Sequence, residues 1–558
     1  MKKILFLLPL LLLLTAIPLA CQAAAALLPV SVTPVTEESA SSIQSVQLWK
    51  SSSGTYLFLP SNWDASSLRL WSLDGSELTL DGASVENGGT VSCLTPGTSV
   101  KLKYGKKSVE VNVRQSANMA TVFMTTESGS LTYIESSKTH KEPGTILITD
   151  TDGSVVCSQA LTSVKCRGNT SYRKSPKKSY QFKLTDKQDL FEHGKSRTWL
   201  LITGYRDRSF LRNVIASDLA NYVGLQYTPG YTFCELYVDG EYRGFYLLAE
   251  KVQIGKYRVD IDDLEKATEE LNDQPLSSYK KQGAEKARVG QGKYYAIPNN
   301  PEDITGGYLI RLEALKHYKE VNSSYVTTRA FQCQIVSPDY VSKEQYDYIS
   351  PILQSFEDAI WAKDGIDPKT GKHYTEIADI ESFVLKYMLE ETVKSYDANH
   401  NSQYIYKPAD SQSTLLYAGP AWDYDTSWGS YASAGKDAAT VAEGWWVKSA
   451  TSKVWYPALY RHEEFQEMVK QMWHERYLPA LSILLGETKD LNGRMHSIDE
   501  YAEMINDAAC SDFIRWPTLK SYGGVAEKKI GSTFKANITY LKSFITKRRA
   551  WLIKQWGE

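Results

Sequence analysis

The sequence predicts an α+β protein in which a small all-β sandwich precedes a larger mixed domain. Three observations predict it. Short alternating runs such as Thr55-Tyr56-Leu57-Phe58-Leu59 and Val109-Glu110-Val111-Asn112-Val113 recur over residues 46–115. Further on, Leu211, Val214, Ile215, Leu219 and Tyr222 fall at helical spacing after a second set of strands. The chain has 558 residues, more than one compact core holds.

The elements follow in order. Lys2 and Lys3 precede an apolar run over 4–19 and the small residues Ala20 and Ala23. This is a signal-peptide pattern, assigned to 1–23, and it predicts a secreted or cell-surface protein. Cys21 offers a second route, cleavage before it and lipid anchoring to a membrane, although Pro18 stands where leucine is usual. Residues 24–45, rich in Ser, Thr, Ala and Val, read as a linker. In the 46–115 module, Asp74-Gly75, Asn87-Gly88 and Pro96-Gly97 mark turns between short strands, and no catalytic group stands out.

The mixed domain takes 116–558. Strands run to residue 184, with a hairpin at Asp152-Gly153. A helix over 209–223 stops at Gly224. Strands over 231–238 and 242–249 join at Asp239-Gly240. The polar, lysine-rich stretch 265–305 reads as an insertion or mobile loop. Beyond residue 308 the chain reads as mainly helical, ending in a basic amphipathic helix over 534–555 that packs on the domain.

Charged residues make up 23% of the chain and the net charge is -2, which gives no support for a nucleic-acid partner. The cysteines after Cys21 lack metal-ligand spacing, and there is no His-Glu-x-x-His pattern. Cys157 and Cys166 read as flanking a turn across which they can pair.

The chemistry concentrates in 379–425. An apolar helical face formed by Ile380, Phe383, Val384 and Tyr387 leads to the polar loop Asp397-Ala398-Asn399-His400-Asn401. A hairpin follows, then Trp422-Asp423-Tyr424-Asp425. Helix, acidic loop with Asn, hairpin and second acid are the parts that phosphoryl transfer requires. One carboxylate orients the attacking hydroxyl, while an Asn and a further carboxylate hold metal ions on the nucleotide phosphates. Asp397 fits the first role, Asp423 the metal acid, and Asp425 a second metal contact. Either Asn399 or Asn401 fits the amide. Upstream, the turn Arg167-Gly168-Asn169-Thr170-Ser171 offers backbone N–H groups to phosphates, and the strand after it carries lysines. Glu250 closes a strand where a kinase hinge would pass the adenine.

Taken together, these stretches resemble the CotH spore-coat kinases, an atypical kinase family. They include Tyr205-Arg206-Asp207-Arg208-Ser209-Phe210-Leu211-Arg212-Asn213, Glu235-Leu236-Tyr237-Val238-Asp239-Gly240, Gly306-Gly307-Tyr308-Leu309 and Gly419-Pro420-Ala421-Trp422-Asp423-Tyr424-Asp425. The resemblance runs from about residue 117 to beyond 429 and leaves out the leader and the β module. It implies a two-lobed, protein-kinase-like domain, ATP with Mg²⁺ or Mn²⁺, and transfer to serines of an unidentified protein substrate. By position it implies catalysis by Asp397, metal binding by Asp423, and phosphate contact by Lys178 or Lys183. Asp207, Arg212 and Asn213 would brace the site. Two other readings stand beside it. One is a surface binding protein on a kinase-like scaffold without turnover. The other is a hydrolase with Asp423 and Asp425 as paired acids.

Overall fold

A computed structural model describes residues 26–204, 206–399, 401–430, 437–449, 455–519 and 531–557. The signal-peptide segment and Cys21 lie outside the described residues. The architecture is mixed α+β, built from a curled sheet, a closed barrel and a third sheet flanked by helices.

The N-terminal module is one continuous nine-stranded sheet rather than two stacked sheets. Its edge strands, Ala83–Val85 and Gly89–Val91, are joined only by residues 86–88. Laid flat, nine strands would put the edges ~38 Å apart, while so short a connection reaches ~14 Å. The sheet therefore curls until its edges meet around one apolar core. The linker expectation is corrected here. Ala26–Pro34 is a strand inside this sheet, paired with both Val46–Ser51 and Leu68–Ser72. Its alternate residues Leu28, Val30 and Val32 enter the core, a pattern masked in the sequence by prolines and small polar residues. The module is packed directly on the barrel. Phe58 stacks on Tyr242 at 4.3 Å, and Gln47 N donates to Gly240 O at 2.8 Å.

The barrel runs Ala120–Thr126, Glu142–Thr149, Val155–Arg167, Ser179–Asp189, Lys195–Thr203, Glu241–Glu250 and Tyr231–Val238. It closes by parallel pairing of the first of these with the last. Period-2 alternation sends Val164, Cys166, Tyr180, Phe182, Trp199 and Leu248 inward. The residues between them, Lys165, Arg167 and Gln181, face outward toward the rest of the domain and line its cleft. Cys157 and Cys166 are free thiols, not a pair. They share the single strand Val155–Arg167, so nine residues place them ~30 Å apart along it, with no turn between.

The third sheet is antiparallel throughout, in the order Lys281–Gly283, Gln291–Tyr295, Ser323–Val326, Gln332–Ser337, Tyr308–Glu313, Gln403–Lys407, Tyr417–Ala418. Two expectations change. The 265–305 stretch contributes two of these strands, and the chain after residue 308 continues as strands before turning helical. Polar composition hides the first pair. Lys293 is buried with its ammonium held by the Tyr318 and Val321 carbonyls. Gly292 passes so close to the next strand that a Cβ would sit 1.9 Å from Ser324 O. Helix Ile498–Arg515 packs on the barrel strand Glu241–Glu250, and the helices Arg212–Val223, Lys343–Trp361, Ile380–Val393 and Phe534–Trp556 share the apolar core of this sheet. The last buries Phe534, Ile538, Leu541, Ile545 and Leu552 at helical spacing. Arg548 anchors it to the buried Glu391 at 2.8 Å.

Candidate active site

The acidic side is built on the buried helix Ile380–Val393. Asp379 caps its start, accepting from Ser382 N at 2.9 Å. Lys394 ends it in the left-handed region, its ammonium donating to Val441 O and Glu443 O. The chain then turns through Asp397–Asn399, and Asn401 N donates to Asp397 O at 2.8 Å. The hairpin Gln403–Lys407 with Tyr417–Ala418 returns it to Trp422 and Asp423. Asp423 takes φ +73°, a left-handed conformation that aspartate tolerates better than most residues.

Buried partners hold this returning loop. Asn213 Oδ1 accepts from Tyr424 N at 2.7 Å, and the Tyr424 hydroxyl donates to Glu390 at 2.7 Å. Arg212 donates to Ser427 O at 2.8 Å and Trp428 O at 3.3 Å. Arg212 is itself paired with Asp207 at 2.5 Å, and Asp207 also accepts from Arg212 N. The bracing role expected of Asp207, Arg212 and Asn213 is thus a set of bonds to the acidic loop's own backbone.

Asp397, Asn401, Asp423 and Asp425 line one cleft of about 660 Å³, within the ~300–1,000 Å³ common for ligand sites. Ser402 Oγ donates to Asp423 at 3.1 Å, and Thr426 Oγ1 to Asp397 at 3.4 Å. Asn401 Oδ1 accepts from Ala314 N at 3.3 Å. Asn401 lies in the cleft, whereas the Asn399 side chain and His400 lie outside the described residues. Burial, then the charge of Asp423, pushes Asp397 up to about 7, against Arg206 and the bonds from Asn401 and Thr426. The same two causes push Asp425 up to about 8, again against Arg206. Carboxylates that raise one another's proton affinity make a setting that favours a cation.

The opposite wall is basic. Arg167 lies over the Trp422 ring at 5.5 Å, and Trp422 stacks on Tyr231. Lys165, Arg173, Arg206, Arg311 and Lys316 also line the cleft. Gly168 turns the chain at φ +91°, where a Cβ would meet Ser171 Oγ at 2.2 Å. Three residues singled out from sequence do not line this cleft. Lys178 Nζ folds back onto Tyr172 O and Ser175 O at 2.6 and 2.7 Å. Lys183 is exposed further along the barrel, opposite Ser163 and Thr198. Glu250 is paired with Arg258, accepts from Gly230 N at 2.6 Å, and lines a separate hollow of about 280 Å³. The neighbouring Lys177 is structural, buried against Asp512 at 2.5 Å.

Sequence reasoning missed Lys165, Arg206 and Arg311. Lys165 and Arg167 stand two apart on one strand, a spacing that puts both on one face. Arg311 lies in a stretch read as helical. A larger hollow, about 700 Å³ beside Gly283 to Gly292, has no Asp-Asn set, and its Asp347 is tied to Lys343.

The donor set fits a hard divalent cation, because Asp423, Asp425 and Asn401 present oxygens. Among the described residues no three His, Cys, Asp or Glu side chains are grouped tightly enough to hold a metal ion. Mg²⁺ takes one or two carboxylates and completes its shell with water and phosphate oxygens. The basic wall opposite fits a polyphosphate. No curated protein matches the chain. Residues 164–552 match the family described as CotH kinase protein, and on that match over more than half its length the chain belongs to the CotH kinase family.

Proposed function

We propose that this protein is an exported CotH-like kinase that transfers the γ-phosphoryl group of ATP to serine hydroxyls of a protein acceptor. In this reading the barrel is the upper lobe, and the third sheet with its helices is the lower. The observation that carries it is the convergence of Asp397, Asn401, Asp423 and Asp425 on one cleft, facing the Arg167–Ser171 turn. Asp397 orients the acceptor hydroxyl and takes its proton. Asn401, Asp423 and Asp425 would hold Mg²⁺ or Mn²⁺, which when bound neutralises charge on the phosphate oxygens. Arg167 faces the phosphates. The raised proton affinity of Asp397 suits a base, since it lies near neutral pH. The leader pattern supports export, with Cys21 as the residue that would carry a lipid anchor.

The test is transfer from labelled ATP by purified wild type and Asp423→Ala. The variant is expected to lose at least ~100-fold in rate, the scale of removing one main electrostatic stabiliser. Equal transfer by the two would remove Asp423 from the chemistry. No transfer by a folded wild type would favour a scaffold without turnover.

A further inference from the structure

We propose that Trp446 is a positioning residue for Asp397, and that residues 441–448 form a strap through which the C-terminal helix Phe534–Trp556 fixes the loop carrying this base; its catalytic meaning rests on the kinase reading above. The strap follows the acidic loop in the chain and is neither strand nor helix. Three side chains hold its backbone instead. Lys394, at the end of helix Ile380–Val393, donates to Val441 O and Glu443 O at 2.7 and 2.9 Å. Arg548, from the C-terminal helix, donates to Ala442 O and Gly444 O at 2.9 and 2.8 Å. Glu391, in the last turn of helix Ile380–Val393, accepts from Trp446 N at 2.5 Å, Lys448 N at 2.9 Å and Arg548 at 2.8 Å.

The strap then reaches the loop. The Trp446 indole N–H donates to Ser395 O at 2.6 Å, and the same carbonyl accepts from Ala398 N at 3.3 Å. The second bond belongs to the turn Asp397–Asn399, so Trp446 grips the carbonyl on which the turn carrying Asp397 is built. Trp445 ties the strap to the C-terminal helix, with its ring 4.9 Å from that of Trp551 and 5.7 Å from that of Trp556. A buried pair such as Glu391 with Arg548 is costly to take out of water and adds little net stability by itself. What it supplies here is register: the carboxylate matches two strap N–H groups and the guanidinium two strap carbonyls, which seats the strap in one position. A reacting group misplaced by ~1 Å can cost ~100-fold in rate, so a fixed frame two residues before Asp397 bears on the transfer step itself.

Trp446→Phe tests this on the full chain, because it keeps a ring and removes the indole N–H. Its kcat for transfer from ATP is expected to fall ~10-fold with KM for ATP unchanged, since the loop and not the nucleotide contacts are loosened. Hydrogen exchange read by mass spectrometry should quicken about fivefold in peptides over 395–401, the weight of one hydrogen bond, and stay as in wild type over 380–390. Arg548→Met should lose more rate, and Arg548→Lys, which keeps a cation on the strap carbonyls, should recover most of that loss. Unchanged exchange over 395–401 in Trp446→Phe overturns the strap's hold, whether or not wild type transfers phosphate. Faster exchange with unchanged kcat, or with KM for ATP raised instead, overturns the positioning role. Faster exchange in a chain whose wild type transfers nothing leaves the hold standing and takes down the kinase reading.

Discussion

Asp423 and Arg167 line opposite walls of one cleft and are held by different means. On the acidic wall, side chains from the helix Arg212–Val223 hold the loop's own backbone: Asn213 on Tyr424 N, Arg212 on the Ser427 and Trp428 carbonyls. Both side chains are buried, and Arg212 is in turn tied to Asp207. On the basic wall, Lys165 and Arg167 are placed by strand register, with Arg167 also lying over the Trp422 ring. On the proposed function, the difference follows from what each wall would do. Carboxylates that share a metal ion have to be fixed relative to one another before it arrives. Long cations meeting a flexible anion need reach, and a rigid partner would compete with the ligand.

The contrast breaks first at Asp207. Asp207→Ala leaves Arg212 charged and buried, which costs about 3–5 kcal/mol. Urea unfolding should show this as a lower midpoint with an unchanged slope; a shift below 1 kcal/mol would mean that the brace is not a closed network. Next comes Asn213→Ala, which strands the Tyr424 N–H in a buried setting for about 1–3 kcal/mol. Here the expected signature is double, a modest stability loss with a larger fall in metal-dependent transfer. A fall in stability alone would separate Asn213 from the positioning of Asp423.

The two walls were unequally legible in the sequence. Asp397, Asn401, Asp423 and Asp425 were readable because they lie within 29 residues, in an order of elements that local patterns reveal. The basic wall depends on which strand face meets the cleft, and that follows from closure of the barrel, a non-local event. Lys183 shares the outward face with Gln181 but lies beyond the cleft's reach, whereas Lys178 is captured by nearby carbonyls. The fold shows the same division. The helices over 212–223 and 380–393 and the 231–250 hairpin followed from periodicity and turn residues. Ala26–Pro34 and Gln291–Tyr295 did not, because backbone pairing and buried lysine contacts stabilise them more than an apolar pattern does.

The smallest effect sharpens the comparison most. Lys165→Met removes a half-buried cation that has no internal partner, and on which the charge of Lys141 acts. Stability should change by no more than ~0.5 kcal/mol, and in the favourable direction, since only repulsion and burial of charge are removed. The pH dependence has a definite sign. Burial lowers the Lys165 pKa, with Lys141 adding to it, so the unfolded chain holds that proton more tightly than the folded one. Wild type therefore gains stability relative to the variant as pH rises toward the unfolded lysine value of ~10.4. The Lys141 part of the difference should fade in 1 M salt, where the screening length is ~3 Å. Chemical denaturation of both proteins at two pH values and two salt concentrations measures all of this. A loss above 1 kcal/mol in Lys165→Met would mean that the basic wall, like the acidic one, is tied from within.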